Sequence, residues 1–413
     1  MQTLKKSVLV LGLFAAFPFS CSAPVNGDSD AGFPDGSTGG GAGGSATGGG
    51  GGAGGSGGGD ADSGTGAGTD AGLPDSGGTD AGAFRTPYVY VVSNQNQVRV
   101  YALDAGSGGF TFKSSVSSAG AGFLAFSTDK RTAYVTKNNT VEALAMNPSS
   151  GALTSLNQAA SGGAGAVHVF TESTGKYVLV ANYAGGNASV LPIIDGGRLG
   201  TATDTVNAGV EAHQIVADPS NRYVFVPCKG DNWVAQYLFD ADAGTLTPNA
   251  VPHVSTAAGA GPRHLAFHPG GGFAYLINEV DDTITALSLD GSTGQLTPFQ
   301  TLSTIPMAMA NTTAEVEVHP SGKFVYGSNR GHNSIVGFSL DAGYMTLIGH
   351  ASTGGMTPRH FSIDPTGTLL FAANQGSSDV HSFRINPSTG ALTPLGEAAQ
   401  PNAPSFVGAI YLP

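Results

Sequence analysis

The sequence predicts an all-β fold, a seven-bladed β-propeller of four-stranded blades, from three observations. A second-strand motif recurs seven times: YVYVVSN ending at Asn94, AYVTKN at Asn138, YVLVAN at Asn182, YVFVPC at Cys228, AYLIN at Asn278, FVYGSN at Asn329 and LLFAAN at Asn374. The spacings of 44, 44, 46, 50, 51 and 45 residues match a unit of propeller-blade length that buries its faces only by stacking on its neighbours. Finally, the first copy starts directly at its second strand, and Ser405–Leu412 (SFVGAIYL) is left at the C-terminus to supply the missing partner. Such a pairing closes the ring and removes an exposed sheet edge.

Taken in order, the chain begins with a segment that is not fold. Lys5 and Lys6 precede an apolar run, Val8 to Phe19, of signal-peptide length. Ser20-Cys21-Ser22 ends it, and this arrangement resembles a bacterial lipoprotein signal in which Cys21 is acylated. Cleavage after Cys21-Ser22-Ala23 by ordinary signal peptidase is the competing reading. The expectation is an exported protein anchored by lipid at Cys21 and facing the periplasm or cell surface, with no other membrane contact. Residues 22–83 are rich in Gly, Ala, Ser, Thr and Asp and nearly lack large apolar side chains. A segment of this kind cannot offset its ordering entropy and is expected to be a disordered tether spanning about 40 Å. Its Asp-Ala-Gly triplets at 30–32, 70–72 and 80–82 lack the ligand spacing of a calcium loop. The net charge of −12 divides into +2 from residues 1–21 and −8 from 22–83, leaving −6 for 84–413. That balance, with no basic run, argues against nucleic acid as a partner.

The propeller is expected over 84–413, and its unit is clearest in blade five. Arg263–Phe267 reads as the first strand and His268-Pro-Gly-Gly-Gly as a tight turn. Phe273–Ile277 is the second strand, Thr283–Leu289 the third, and Gln295–Leu302 a weaker fourth. A Gly-Xaa-Leu-Thr turn recurs at 151–154, 244–247, 294–297 and 390–393. The Asn that ends six of the seven second strands is read as a turn former. The same holds for His268, His319, Asp218 and Asp364, which occupy one turn position in four blades. With Cys21 in the leader, Cys228 has no disulfide partner in the fold and is read as a buried small hydrophobe.

Repetition explains most residues, so those outside it are the candidates for chemistry. His213 opens blade four, and Arg263 stands at the equivalent place in blade five. Glu279 follows the second strand of blade five, and Arg330 follows that of blade six. Strand starts and strand ends on adjoining blades can converge near the axis. A His, a carboxylate and two Arg grouped there could bind an anionic substrate and move protons. Arg359 repeats the blade-five position in blade seven. Arg359, His264 and His332 are candidates for substrate contact. A plain inter-strand ion pair between Arg263 and Glu279 is the alternative without chemistry.

The stretches GPRHLAFHP and AYLINE, then VHPSGKFVYGSNRGHNSI and PRHFSIDPTGTLLFAANQ, resemble the seven-bladed lactonase family. That family includes bacterial 6-phosphogluconolactonases of this fold and fungal carboxy-cis,cis-muconate cyclase. The resemblance covers about 87–413 and is most specific over 210–395. It implies hydrolysis of a sugar lactone without a metal. By analogy with the cyclase, it implies a catalytic group of His213, Arg263, Glu279 and Arg330. In blade four, Cys228-Lys229-Gly230 replaces the Asp-Leu-Gly-like stretch often found in the family. Two other readings stay open: a tethered binding propeller without catalysis, and a cycloisomerase that forms a lactone from an unsaturated diacid. No CxxC, HExxH or phosphate-loop motif is present, so no cofactor is expected. The expected partner is a small lactone or sugar acid, and a closed ring is expected to be a monomer.

Overall fold

The structure, a computed structural model, describes residues 87–93 and 96–413. The leader, Cys21, the tether and Asn94 lie outside the described residues. Seven separate antiparallel sheets follow one another along the chain. Blade five comprises Pro262–Phe267, Phe273–Asn278, Thr283–Leu289 and Leu296–Ser303, from the innermost strand outward. Blade six repeats this with Thr313–Val318, Phe324–Asn329, Ser334–Asp341 and Tyr344–Ser352.

Two blades depart from the four-strand expectation. In blade three the outer position is shared: Asp204–Asn207 and the two-residue strand Arg198–Leu199 both pair with Asn187–Ile194. In blade four the innermost strand shrinks to Val216–Ala217, preceded by an isolated bridge from Ala212 to Cys228. Closure follows the expectation: Pro404–Tyr411 pairs antiparallel with Pro87–Ser93 and becomes the innermost strand of blade one.

The second strands Tyr177–Asn182 and Leu369–Asn374 are buried along their whole length. Each blade is covered on both faces by its neighbours, so apolar side chains on either face of the pleat enter a core. The neighbours also interlock. Gly244, Gly294, Gly343 and Gly390 all have positive φ, and a Cβ on each would strike an aromatic ring that opens the preceding blade's second strand: Tyr177, Tyr223, Phe273 and Phe324 respectively. This is why the Gly-Xaa-Leu-Thr turn needs its glycine. Two residues into the second strand, buried tyrosines span the same joint: the Tyr275 hydroxyl donates to Gly343 O (3.2 Å) and that of Tyr326 to Gly390 O (2.8 Å).

The recurring Asn is structural, as expected. Asn182, Asn329 and Asn374 donate through Nδ2 to the carbonyls of Ser161, Thr304 and Thr353, tying the second strand to the residue that follows the outer strand of the preceding blade. His268 and His319 each accept from their own turn through Nδ1 and reach the next blade's turn, at Gly322 O and Gly367 O, through Nε2. Asp218 and Asp364 accept from several turn N–H groups in the same way.

Candidate active site

The innermost strands share an irregularity that sets the site. In blade five Pro262 pairs with Asn278 and His264 with Ile277, so Arg263 is an extra residue between them. The same bulge isolates Arg359 in blade seven and Val167 in blade three. In blade four, Ala212 bridges Cys228 and regular pairing resumes at Val216 with Phe225, which places His213 in the equivalent register. A bulge re-aims a side chain out of the regular pleat. One end of the ring therefore presents His213, Arg263 and Arg359 from one register. At the same end, the residue that follows each second strand is Tyr183, Lys229, Glu279 or Arg330 in blades three to six.

These two sets meet around Glu279. Its Oε1 lies 3.0 Å from Arg330 Nη2 and 3.1 Å from Lys229 Nζ, and its Oε2 lies 3.1 Å from Arg263 Nε. The guanidinium groups are anchored a second time. Arg263 Nη1 donates to Ala314 O (2.7 Å) and Arg330 Nη2 to Thr313 O (2.9 Å), both on the innermost strand of blade six. Glu279 itself is placed by its N–H, which donates to Gly261 O at 2.7 Å. Gly261 has positive φ, and a Cβ there would press on Val280 and on Lys229 Cγ. With Glu211, whose carboxylate lies 3.9 Å from Lys229 Nζ, two carboxylates among three cations leave a net charge of +1, so the cluster is suited to an anion.

Arg263 is 3 % exposed, Glu279 6 % and His213 1 %, so the chemical groups sit under a cover. Lys229 lies beside them, its ammonium 5.7 Å from the Tyr183 ring centroid. The Tyr183 ring in turn packs edge-on against His213 at 5.6 Å.

One residue further along each innermost strand, a second layer fills the axis. Phe123 of blade two touches the rings of His168, His264, His360 and Phe406, which come from blades three, five, seven and one. Glu315 of blade six bridges His264 Nδ1 (2.8 Å) and His360 Nε2 (3.2 Å). Burial raises the Glu315 carboxyl above its ordinary range, against the pull of His360 and Arg263. Burial also lowers His360, to about 4, and holds His168 well below the usual imidazole range. Burial therefore disfavours charge on Glu315, His360 and His168 alike.

Of the residues singled out in the sequence, Arg263, Glu279 and Arg330 are in direct contact. His213 adjoins them through Tyr183 and through the ring of His264, 5.1 Å away. His264 is drawn to the axis by Glu315. Arg359 acts electrostatically on Glu315 and His360. His332 turns outward along blade six, bonded to Ser334 Oγ (2.7 Å) and packed on His350 at 5.3 Å. Sequence reasoning missed Lys229, Tyr183 and the axial Glu315, His168 and His360. Lys229 was findable, because it shares the register of Glu279 and Arg330. Among the described residues no group of three or more His, Cys, Asp or Glu is arranged to hold a metal ion.

The family model "Lactonase, 7-bladed beta-propeller" matches residues 86–409. The 6-phosphogluconolactonase of Pectobacterium carotovorum subsp. carotovorum is 36% identical over 242 residues, 58% of this chain and 72% of that one. The enzyme of the same name from Sodalis glossinidius is 33% identical over 240 residues, 57% of this chain and 72% of its own. Among solved structures, a candidate 6-phosphogluconolactonase from Bacteroides fragilis matches with a TM-score of 0.73 at 26% identity, over 81% of this chain and 100% of that one. The periplasmic gluconolactonase of Pseudomonas aeruginosa shares the fold, with a TM-score of 0.74 at 24% identity over 79% of this chain and 100% of its own. Fold and sequence agree: the chain belongs to the seven-bladed β-propeller lactonase family.

Proposed function

We propose that this protein hydrolyses a sugar lactone, with His213, Arg263, Glu279 and Arg330 as the reacting group. The observation that carries the reading is the Glu279 carboxylate clasped by Arg263, Arg330 and Lys229, with His213 on the neighbouring bulge. In this reading the lactone carbonyl oxygen sits against Arg263 and Arg330. Their backbone anchors preset the guanidinium groups for an oxyanion that forms only during reaction. His213 takes a proton from the attacking water, and the hydroxide oxygen bonds to the carbonyl carbon. The tetrahedral intermediate then breaks its ring C–O bond, and His213 returns the proton to the departing ring oxygen. The product is an open hydroxy acid, which releases its own proton to solvent. Glu279, already satisfied by three cations, aligns the guanidinium groups while the imidazole handles the proton. The relatives named 6-phosphogluconolactonase support the substrate class.

Purified protein should release acid from at least one of 6-phosphogluconolactone, gluconolactone or simple γ- and δ-lactones. Arg263→Ala should reduce turnover by about a hundredfold or more, the usual effect of losing one oxyanion donor. A folded wild-type protein that opens none of these rings would sink the proposal.

A further inference from the structure

We infer that Glu315 is a positioning residue: acting through the ring of His264, its carboxyl sets where the His213 imidazole stands. The inference rests on the hydrolase reading and adds to it the support on which the proton carrier depends. In blade six Thr313 pairs with Asn329 and Val316 with Gly327, so Ala314 and Glu315 together oppose Ser328. This bulge touches the cluster at every residue. The Thr313 N–H donates to Glu279 O at 3.2 Å. Thr313 O accepts from Arg330 (2.9 Å) and Ala314 O from Arg263 (2.7 Å). Glu315 continues the series with its side chain, whose Oε1 bonds His264 Nδ1 at 2.8 Å. The His213 ring comes next, 5.1 Å from that of His264 and inclined to it by 65°. One short stretch of strand thus reaches Glu279, both guanidinium groups and, at one remove, the imidazole.

The carboxyl is itself held from several sides. The Glu315 N–H donates to Ser328 Oγ at 2.9 Å, and the Val316 N–H to Oε1 at 3.1 Å. Its Oε2 lies 3.2 Å from His360 Nε2. His360 is fixed in turn, its Nδ1 accepting from the Val407 N–H at 3.4 Å. Glu315, His264, His360 and Ser328 are all buried, so a bond lost among them is not made good by water. The bond to His264 does what packing does not. Rings of Phe123 and His168 meet His264 edge-on, at 6.1 and 5.4 Å, and set the plane of its imidazole. Packing alone leaves such a ring two similar settings about χ2. The bond to Oε1 selects one of them, and with it the edge that His264 turns to His213. A base displaced by a fraction of an ångström loses rate while the fold persists.

Kinetics and proton NMR on the full chain test this together. Glu315→Met keeps the volume of the side chain and removes both acceptors. It should lower kcat about ten- to a hundredfold on the lactone that wild type opens and leave KM within about twofold. KM holds because the carbonyls that anchor Arg263 and Arg330 belong to the backbone. Glu315→Gln keeps an acceptor for His264 and should recover most of the loss. His264→Phe keeps a ring against His213 without the Nδ1 bond; it should lower kcat similarly, and adding Glu315→Met to it should cost nothing further. The imidazole resonances of His213, identified by their absence in His213→Gln, should shift in Glu315→Met and return toward wild type in Glu315→Gln. Wild-type kcat and unmoved His213 resonances in folded Glu315→Met overturn the inference, and so do losses that multiply in the double variant. Should Glu315→Met fail to fold, His264→Phe decides: a lower kcat at unchanged KM supports the inference, and wild-type kcat overturns it. A wild type that opens no lactone sinks the hydrolase reading, and the resonances then decide by themselves whether Glu315 governs His213.

Discussion

Replacing Glu279 by Gln tests how the site is held together. The substitution keeps the shape of the side chain and removes its charge. Three cations within 3.1 Å then face one another, with the Glu211 carboxylate, 3.9 Å from Lys229, as the remaining anion. Each lost attraction is about 5 kcal/mol gross at the effective dielectric near a protein surface. Most of that is offset because the charges regain hydration or shift apart. Breaking a buried ion pair on one side costs about 3–5 kcal/mol in practice. For a fold of this size, with an unfolding entropy of about 2.1 cal/mol/K per residue, that loss lowers Tm by about 4–7 °C. Thermal melts followed by circular dichroism read it directly. Added phosphate or sulfate should recover part of the loss in Glu279→Gln and do less for wild type, because the anion takes the vacated place. A Tm within about 1 °C of wild type, unaffected by phosphate, would refute the view that Glu279 holds these cations together. The result also governs any kinetic use of the variant, since lost turnover could then reflect splayed guanidinium groups as much as a missing acid or base.

Two further outcomes follow from the joints between blades. Gly294→Ala should cost about 2–5 kcal/mol, because its φ of +73° is strained for alanine and its Cβ would meet the Tyr223 ring; Gly291→Ala in the same turn, with nothing within 4 Å, should stay within about 0.5 kcal/mol, and equal urea midpoints for the two would contradict the interlock. Burial raises the Tyr275 hydroxyl to about 12 and carries those of Tyr90, Tyr134, Tyr237 and Tyr326 above their ordinary value of 10.0. The folded state keeps these protons longer than the unfolded chain, so their contribution is complete below pH 10 and is lost as pH rises from there through 12. Urea midpoints should fall steeply across that window, with tyrosinate absorbance appearing together with unfolding, and a flat midpoint would count against it.

The blades were legible because their period is written in residues that repeat for structural reasons. The Asn at the end of the second strand, the Gly of the outer turn and the His or Asp of the inner turn each have a partner on an adjoining element. Strand ends in blade five were placed within a residue. The irregular fourth strand of blade three was not, because Arg198–Leu199 and Asp204–Asn207 carry no distinctive pattern. The site was half legible. Arg263, Glu279 and Arg330 stood out against the repeat, and the shared register of Arg263, Arg359 and His213 was visible without knowledge of the bulge behind it. The axial layer was hidden for the opposite reason. His168 and His360 sit one position past the bulge and Glu315 within that of blade six, where an unbulged strand points its side chains elsewhere. Only the extra residue brings a Glu from blade six between imidazoles of blades five and seven.

The closure of blade one has a consequence for how the chain acquires its shape. Pro87–Ser93 is buried in the finished ring, yet its inner neighbour, Pro404–Tyr411, is synthesised more than three hundred residues later. Throughout the intervening interval a strand reading PYVYVVS has one naked backbone edge and a strong preference for pairing. Blades two to seven can stack as they emerge, but the assembly stays an open arc with sticky ends until Pro404–Tyr411 arrives. Contacts spanning more than three hundred positions are slow to find, and such an arc is the species most open to joining another copy of itself. A chain truncated before Pro404 should therefore show its defect as aggregation of nascent arcs rather than as a slightly weaker ring.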